Sequence, residues 1–379
     1  MTRLGVAAAL VDGVLVPGDV QLADGLVAAV GLPPVRGGGT AVPGLVDLQV
    51  NGYGGVDLLT SSADEWREAS RRMARDGVTS FVANLVTAAE EMTASALAVA
   101  GEVAASPVDG TLPVDGASAV DVGARCLGAH LEGPFLAESR RGTHPVGHLR
   151  APDRSALREW IARGPVVGMT IAPELPGALD VIGLAASSGV LVSLGHSDAT
   201  AAEANAGFDA GARAVTHVFN GMSGVGSRRP GLAGVALGRA DVAVQAIFDG
   251  VHLAPETASL VVAAAGSRLV LVTDALSATG APDGMYRLGD VELLMVDGAA
   301  RNTDGGLAGS VTPLVGMVRQ AMALGQPFEQ AVTGASVRPA ELVGRHDLGR
   351  LRPGDRADVT VLDDRVEVTG CWVDGVPVD

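Results

Sequence analysis

Five short segments of the chain share one pattern. HLEGPF (130–135), LGHSDAT (194–200), THVFNG (216–221), FDGVH (248–252) and VTDALSATG (272–280) each close a short apolar run with a histidine or a carboxylate. Glu132, His196, His217, His252 and Asp274 are the side chains presented in this way, and they include three of the chain's seven histidines. Singly, each has an ordinary explanation. A histidine at a strand end is commonly a hydrogen-bonded structural group, and an aspartate after a strand commonly caps a helix. As a set they suggest something else. A carboxylate and two imidazoles are the hard-to-borderline donors that hold zinc or iron with one coordination position open. The chemistry of such a set is metal-assisted hydrolysis, because water on such an ion has a pKa near neutrality. A neighbouring carboxylate accepts the proton and later delivers it to the leaving group, a role that suits Asp274. A histidine, His252 or His144, could polarise a substrate carbonyl.

The segment LVDLQVNG (45–52) raises the same question of metals. Period-2 alternation places Asp47, Gln49 and Asn51 on one face of a strand and Leu48 and Val50 on the other. These three polar side chains are either ligands or hydrogen-bonding groups at the mouth of the fold.

The elements that must position these residues follow a regular rhythm. Short apolar runs at 42–50, 78–86, 126–133, 166–174, 189–197, 214–221, 242–252 and 268–276 read as buried parallel strands, mostly with helical stretches between them. Ser62 and Glu65, and again Thr200 and Glu203, have capping-box spacing at helix starts, and Gly77 follows the end of the first of these helices. Eight such units predict a TIM-like (β/α)₈ barrel, whose chemistry sits at the C-terminal ends of its strands. Residues 106–124 read as an irregular loop before the third strand. Both chain ends are β-rich, with Asp-Gly hairpin signals at 12–13, 24–25 and 374–375. The expected organisation is therefore a small β-sandwich domain from residues 1–41 and 347–379 around a catalytic barrel at 42–346.

Composition narrows the function classes. A net charge of −16 argues against nucleic-acid partners, which need clustered cations, so an anionic ligand requires a local arginine site. No apolar run reaches the length of a membrane span. The N-terminal apolar run is interrupted by Asp12-Gly13 and reads as a strand and turn, not as a signal peptide, so a cytoplasmic protein is expected. The two cysteines, Cys126 and Cys371, provide neither a Cys-rich zinc site nor a disulfide framework, and Cys126 reads as core. All 27 basic residues are arginines. Without lysine there is no Schiff-base chemistry, no lysine-dependent P-loop and no carboxylated lysine to bridge two metals. None of the 52 glycines forms a convincing nucleotide-binding fingerprint. His130 shares the face of Glu132 and reads as structural, and His148 and His346 as loop or surface residues.

The segments PGLVDLQVNGYGG, HLEGPFL, RGTH, TIAPE, LGHSDAT, THVFNGM, RRPGLAG, DGVH, VTDALSATG and LAGS occur in this order, followed by SVRPAELVG and LGRLRPGDRADVTVLD. In these motifs, which span nearly the whole chain, the sequence resembles the N-acetylglucosamine-6-phosphate deacetylases of the amidohydrolase superfamily. The resemblance implies hydrolysis of the acetamide of N-acetylglucosamine 6-phosphate. It implies one divalent metal per subunit, zinc first with iron or another divalent ion as alternatives, on Glu132, His196 and His217. It implies Asp274 as general base and acid, and His252 and His144 at the sugar or its acetamide. Thr143, Asn220, Gly221, Leu307, Ala308 and Gly309 would line the sugar-phosphate pocket. Arg228 would reach the phosphate in a neighbouring subunit, making the working unit a homodimer; in SRRPG, Arg229 is the alternative. Arg141 replaces a lysine common in the family before Gly-Thr-His and keeps its charge. Many amidohydrolases carry His-x-His where this chain has Gln49 and Asn51, which with the missing lysine leads us to expect a mononuclear site. Two other functions fit the same sequence: deacetylation of N-acetylgalactosamine 6-phosphate or another acylated amine, and a catalytically silent sugar-phosphate-binding barrel.

Overall fold

The computed structural model describes residues 1–34, 37–106 and 122–378. Eight strands form one parallel sheet in chain order: β1 Leu45–Val50, β2 Val78–Val86, β3 Arg125–Glu132, β4 Val166–Ile171, β5 Leu191–Leu194, β6 Ala214–Val215, β7 Ala243–Ala246 and β8 Leu269–Leu271. Between β8 and β1 the ladder shrinks to one parallel bridge, Val50 to Ala275, with Ala275 N–H donating to Gln49 O at 3.2 Å. Asp47 strengthens this seam. Its Oδ2 accepts from Thr273 Oγ1 at 2.5 Å, and its Oδ1 from the Thr273 and Gln49 amides. Burial pushes the Asp47 carboxyl up to about 7 against these hydrogen bonds. The sheet thus closes into a barrel at the residues next to Asp274.

Helices cover the barrel, and two of them begin at capping boxes. Helix α1 (Ala63–Arg75) starts at a capping box in which Ser62 and Glu65 satisfy each other's backbone amides, and Gly77, at φ +87°, follows its end. The helix at Ala201–Asp209 starts the same way, with Thr200 and Glu203. Trp66, Phe81, Phe135, Trp160 and Phe208 are fully buried between helices and barrel.

The strands are shorter than the apolar runs. The run at 42–50 divides at Gly44: Thr40–Pro43 pairs with Ala8–Val11 and Val359–Leu362 in a separate six-stranded sheet, and only Leu45–Val50 enters the barrel. A Cβ at position 44 would sit 2.1 Å from Thr79 Oγ1, so glycine alone fits this crossing point. The six-stranded sheet and a three-stranded one (Thr2–Arg3, Asp19–Ala23, Leu26–Leu32) share a core of Val6, Val20, Leu22, Val27, Val359 and Val361. The three Asp-Gly pairs at 12–13, 24–25 and 374–375 all take positive φ, as their hairpins require. A further antiparallel sheet, Gly284–Leu288, Val291–Val296 and Ala299–Asn302, follows the eighth strand and was not expected. Its turn at Asp297-Gly298 carries the same signal, with φ of 51° and 74°. Most of the loop expected at 106–124 lies outside the described residues.

Candidate active site

All five reactive side chains lie at the C-terminal mouth of the barrel. Glu132 is the last residue of β3, while His196, His217, His252 and Asp274 lie in the loops after β5, β6, β7 and β8. The last four therefore stand beyond the strands, and the backbone must bend to aim them inward. His196, His217 and Asp274 do so at positive φ (48°, 27° and 53°), a conformation that costs an L-residue about 1 kcal/mol or more and is held here by the surrounding packing.

Glu132 Oε1 lies 2.9 Å from His196 Nε2 and 3.0 Å from His217 Nε2, and the two nitrogens are 3.2 Å apart. All three side chains are buried. His196 Nδ1 is 2.8 Å from the Arg140 carbonyl oxygen, which can only accept. That nitrogen therefore carries the proton, and Nε2 presents a lone pair toward the Glu132 carboxylate. Acceptors converging at hydrogen-bond distance in a buried site are the donor set of a divalent cation, and the backbone contact on the far nitrogen orients the ring as metal-ligating histidines require. The residues fit such an ion. Burial opposes ionisation of Glu132, but the imidazoles of His196 and His217 beside Oε1 hold its carboxyl well below the usual range.

Asp274 lies half-buried beside this cluster. Burial first, and then the charge of Glu132, push its carboxyl up to about 6 despite the pull of His217 and the Asn51 hydrogen bond. His144 Nδ1 faces the Thr87 amide at 3.3 Å and so accepts, leaving its proton on Nε2, which is 3.9 Å from Glu132 Oε1. Burial holds this imidazole neutral, with its pKa lowered to about 3. His252 is in the opposite state. Its Nε2 donates to the Ala308 carbonyl at 2.8 Å and its Nδ1 to Asp249 Oδ2 at 2.7 Å, so both nitrogens carry protons. Burial works against that charge, but Asp249 wins and raises the pKa of His252.

These side chains line a cavity of about 200 Å³ together with Thr143, Asn220, Gly221, Leu307, Ala308 and Gly309. The glycines allow close backbone approach: a Cβ on Gly221 would meet His196 Nδ1 at 2.7 Å, and one on Gly309 would meet the Asp274 carbonyl at 2.1 Å. Arg228 is elsewhere. It lies exposed on the loop before the helix at Gly231–Gly238 and lines a neighbouring cavity of about 800 Å³ with Arg140, Asp198 and Arg229. His130 hydrogen-bonds Thr170 Oγ1 at 2.7 Å and is not among the three clustered ligand candidates. Burial lowers its pKa to about 4 and pushes the Cys126 thiol up to about 12.

Sequence reasoning missed Asn84, Asp249 and the apolar wall of Val86, Ile247 and Leu288. Asn84 had a signal, being a lone amide within the apolar run FVANLV, and Asp249 precedes His252 by three residues. Leu288 had none, because it belongs to the unexpected sheet.

The model of the amidohydrolase family matches residues 40–378. The N-acetylglucosamine-6-phosphate deacetylase of Vibrio furnissii is 38% identical over 338 residues, covering 88% of this chain and 82% of the relative. The chain belongs to the N-acetylglucosamine-6-phosphate deacetylase family. Among other family members, the N-acetylgalactosamine-6-phosphate deacetylase of Escherichia coli O157:H7 is 35% identical, with 96% and 95% of the two chains covered. The structure of a mutant N-acetyl-D-glucosamine-6-phosphate deacetylase from Mycobacterium smegmatis, in complex with N-acetyl-D-glucosamine-6-phosphate, superposes with a TM-score of 0.91 at 34% identity over 100% of this chain and 99% of that one. This deacetylase-family chain is thus a (β/α)₈ barrel hydrolase with a candidate divalent-metal site. No helix among its described residues is long and apolar enough to cross a membrane.

Proposed function

We propose that the protein hydrolyses the acetamide of N-acetyl-D-glucosamine 6-phosphate to glucosamine 6-phosphate and acetate. The observation that carries this reading is the convergence of Glu132, His196 and His217 beside Asp274 in one buried cavity. One divalent ion, zinc first, would be held by those three residues and would supply Lewis acidity for the water and the acetamide carbonyl. Asp274 takes the proton from the attacking water and returns it to the departing amine. His144, neutral with Nε2–H toward the site, donates to the oxygen on which negative charge develops. His252, held as a cation, faces the sugar. Thr143, Asn220, Gly221 and the 307–309 strip hold the remaining hydroxyls by backbone and side-chain contacts.

The phosphate is the ligand's strongest charge, and an acidic protein must offset it locally. Arg228 suits it by its forked geometry, with Arg229 beside it as the alternative. Its place outside the 200 Å³ cavity supports its action across a homodimer interface. A phosphate ester does not cross a bilayer unaided, which supports a cytoplasmic setting. The β unit proposed for 1–41 and 347–379 includes residues 42 and 43 as well, because Thr40–Pro43 pairs in its sheet, and the barrel proposed for 42–346 takes its first strand only from Leu45. The E. coli relative favours a second reading, N-acetylgalactosamine 6-phosphate as substrate. Acetate release from both sugar phosphates by the metal-loaded enzyme decides between them. We expect the higher kcat/KM for the glucosamine epimer; a higher value for the galactosamine epimer overturns the substrate assignment.

The state of Asp274 sets an expected pH dependence. The base works ionised, and burial places its carboxyl near 6 before any cation pulls it down. We expect kcat/KM to fall about tenfold per pH unit on an acid limb at or below pH 6. A pH–rate profile whose acid limb lies above pH 7 would contradict the assignment.

A further inference from the structure

Two amides connect the Glu132 oxygen that does not meet the histidines, Oε2, with Oδ1 of Asp274. Glu132 Oε2 accepts from Asn84 Nδ2 at 2.5 Å. The same nitrogen donates to Asn51 Oδ1 at 2.9 Å, and Asn51 Nδ2 donates to Asp274 Oδ1 at 2.7 Å. The chain Glu132–Asn84–Asn51–Asp274 thus runs from β3 through β2 and the end of β1 to the loop after β8. Its direction follows from the chemistry of its ends. An ionised carboxylate only accepts, so each end must meet an amide nitrogen, and the second hydrogen of Asn84 then falls to the Asn51 oxygen. Asn51 and Asn84 are almost fully buried, so little solvent is available to replace either contact.

We propose that Asn84 and Asn51 are positioning residues whose amide bridge decides which oxygen of each carboxylate does the chemistry. A carboxylate can rotate to exchange its two oxygens. The bridge removes that freedom: Glu132 keeps Oε1 at the histidine pair, and Asp274 keeps Oδ2 for the proton. Asp274 Oδ1 accepts from Asn51 whether or not Oδ2 is protonated, so the bridge persists as the proton arrives and leaves. It also places neutral N–H groups between two carboxylates that repel each other. The inference rests on the reading of Glu132 as a ligand and Asp274 as the base.

The test uses the full chain, metal-loaded, as wild type, Asn84→Ala, Asn51→Ala and the double variant. Misorientation of the two carboxylates is expected to lower kcat about 10–100-fold in each single variant, with KM within about threefold of wild type. Because both residues serve one bridge, the double variant should be no slower than the slower single. Competition for zinc with a chelator should show about 10–100-fold weaker metal binding in Asn84→Ala, independently of activity. Additive losses in the double variant, kcat within twofold of wild type, or a rise in KM matching the loss in kcat would each overturn the proposal. If Asn84→Ala does not fold, the kcat and KM of Asn51→Ala decide it alone. If the wild type releases no acetate, the deacetylase reading fails, and the chelator competition still tests the bridge.

Discussion

Asp274→Asn should lower kcat by about 10⁴-fold, the upper range for a residue that serves as both general base and general acid. The substitution is nearly isosteric. Its amide oxygen can still accept from Asn51 Nδ2, as Asp274 Oδ1 does at 2.7 Å, so neither the fold nor the acceptor cluster need change. What disappears is the proton acceptor. No other described carboxylate lines the cavity apart from Glu132, whose Oε1 is turned to His196 and His217. Steady-state acetate release combined with metal analysis checks this result. Activity within tenfold of wild type, with metal still bound, would remove Asp274 from its role.

The second large effect concerns the donor cluster. His217→Ala should lose the ion and with it more than about 10³-fold of kcat, and it should also lose stability that the wild type gains from the metal. An ion at about 1,000 times its dissociation constant stabilises the folded chain by about 4 kcal/mol. Adding chelator to the wild type should therefore lower Tm by several degrees, while the Tm of His217→Ala should not respond to chelator. The physical reason is local. Glu132 Oε1 and the Nε2 atoms of His196 and His217 crowd within 2.9–3.2 Å of one another in a buried site, an arrangement that a shared cation stabilises. A wild type whose Tm and turnover are indifferent to chelator would show that these donors hold no working ion.

The barrel was legible because buried parallel strands are continuous apolar runs and two of its helices announce their starts by capping boxes. The donor cluster was legible because reactive side chains at strand ends of one barrel must share a mouth. What the sequence hid had specific causes. Apolar runs continue past the strand ends, so β6 is only Ala214–Val215 although its run extends to 221. The run at 42–50 serves two sheets, and only the tight crossing at Gly44 separates them. The bridge of Asn51 and Asn84 needs four chain-distant residues at hydrogen-bond distance, a relation that spacing does not encode. In LVDLQVNG, Asn51 donates to Asp274, Asp47 ties the seam through Thr273, and the buried Gln49 amide has no hydrogen-bond partner among the described residues.

The proposed chemistry is metal-dependent deacetylation at Glu132, His196, His217 and Asp274. Its most direct test is acetate release from N-acetylglucosamine 6-phosphate by one preparation, measured as isolated, after chelation and after readdition of zinc, with bound metal counted each time. Acetate should appear in proportion to bound metal, be lost on chelation, and recover at about one zinc per chain. Full activity in chelated, metal-free protein, or no acetate from fully loaded protein, would contradict it.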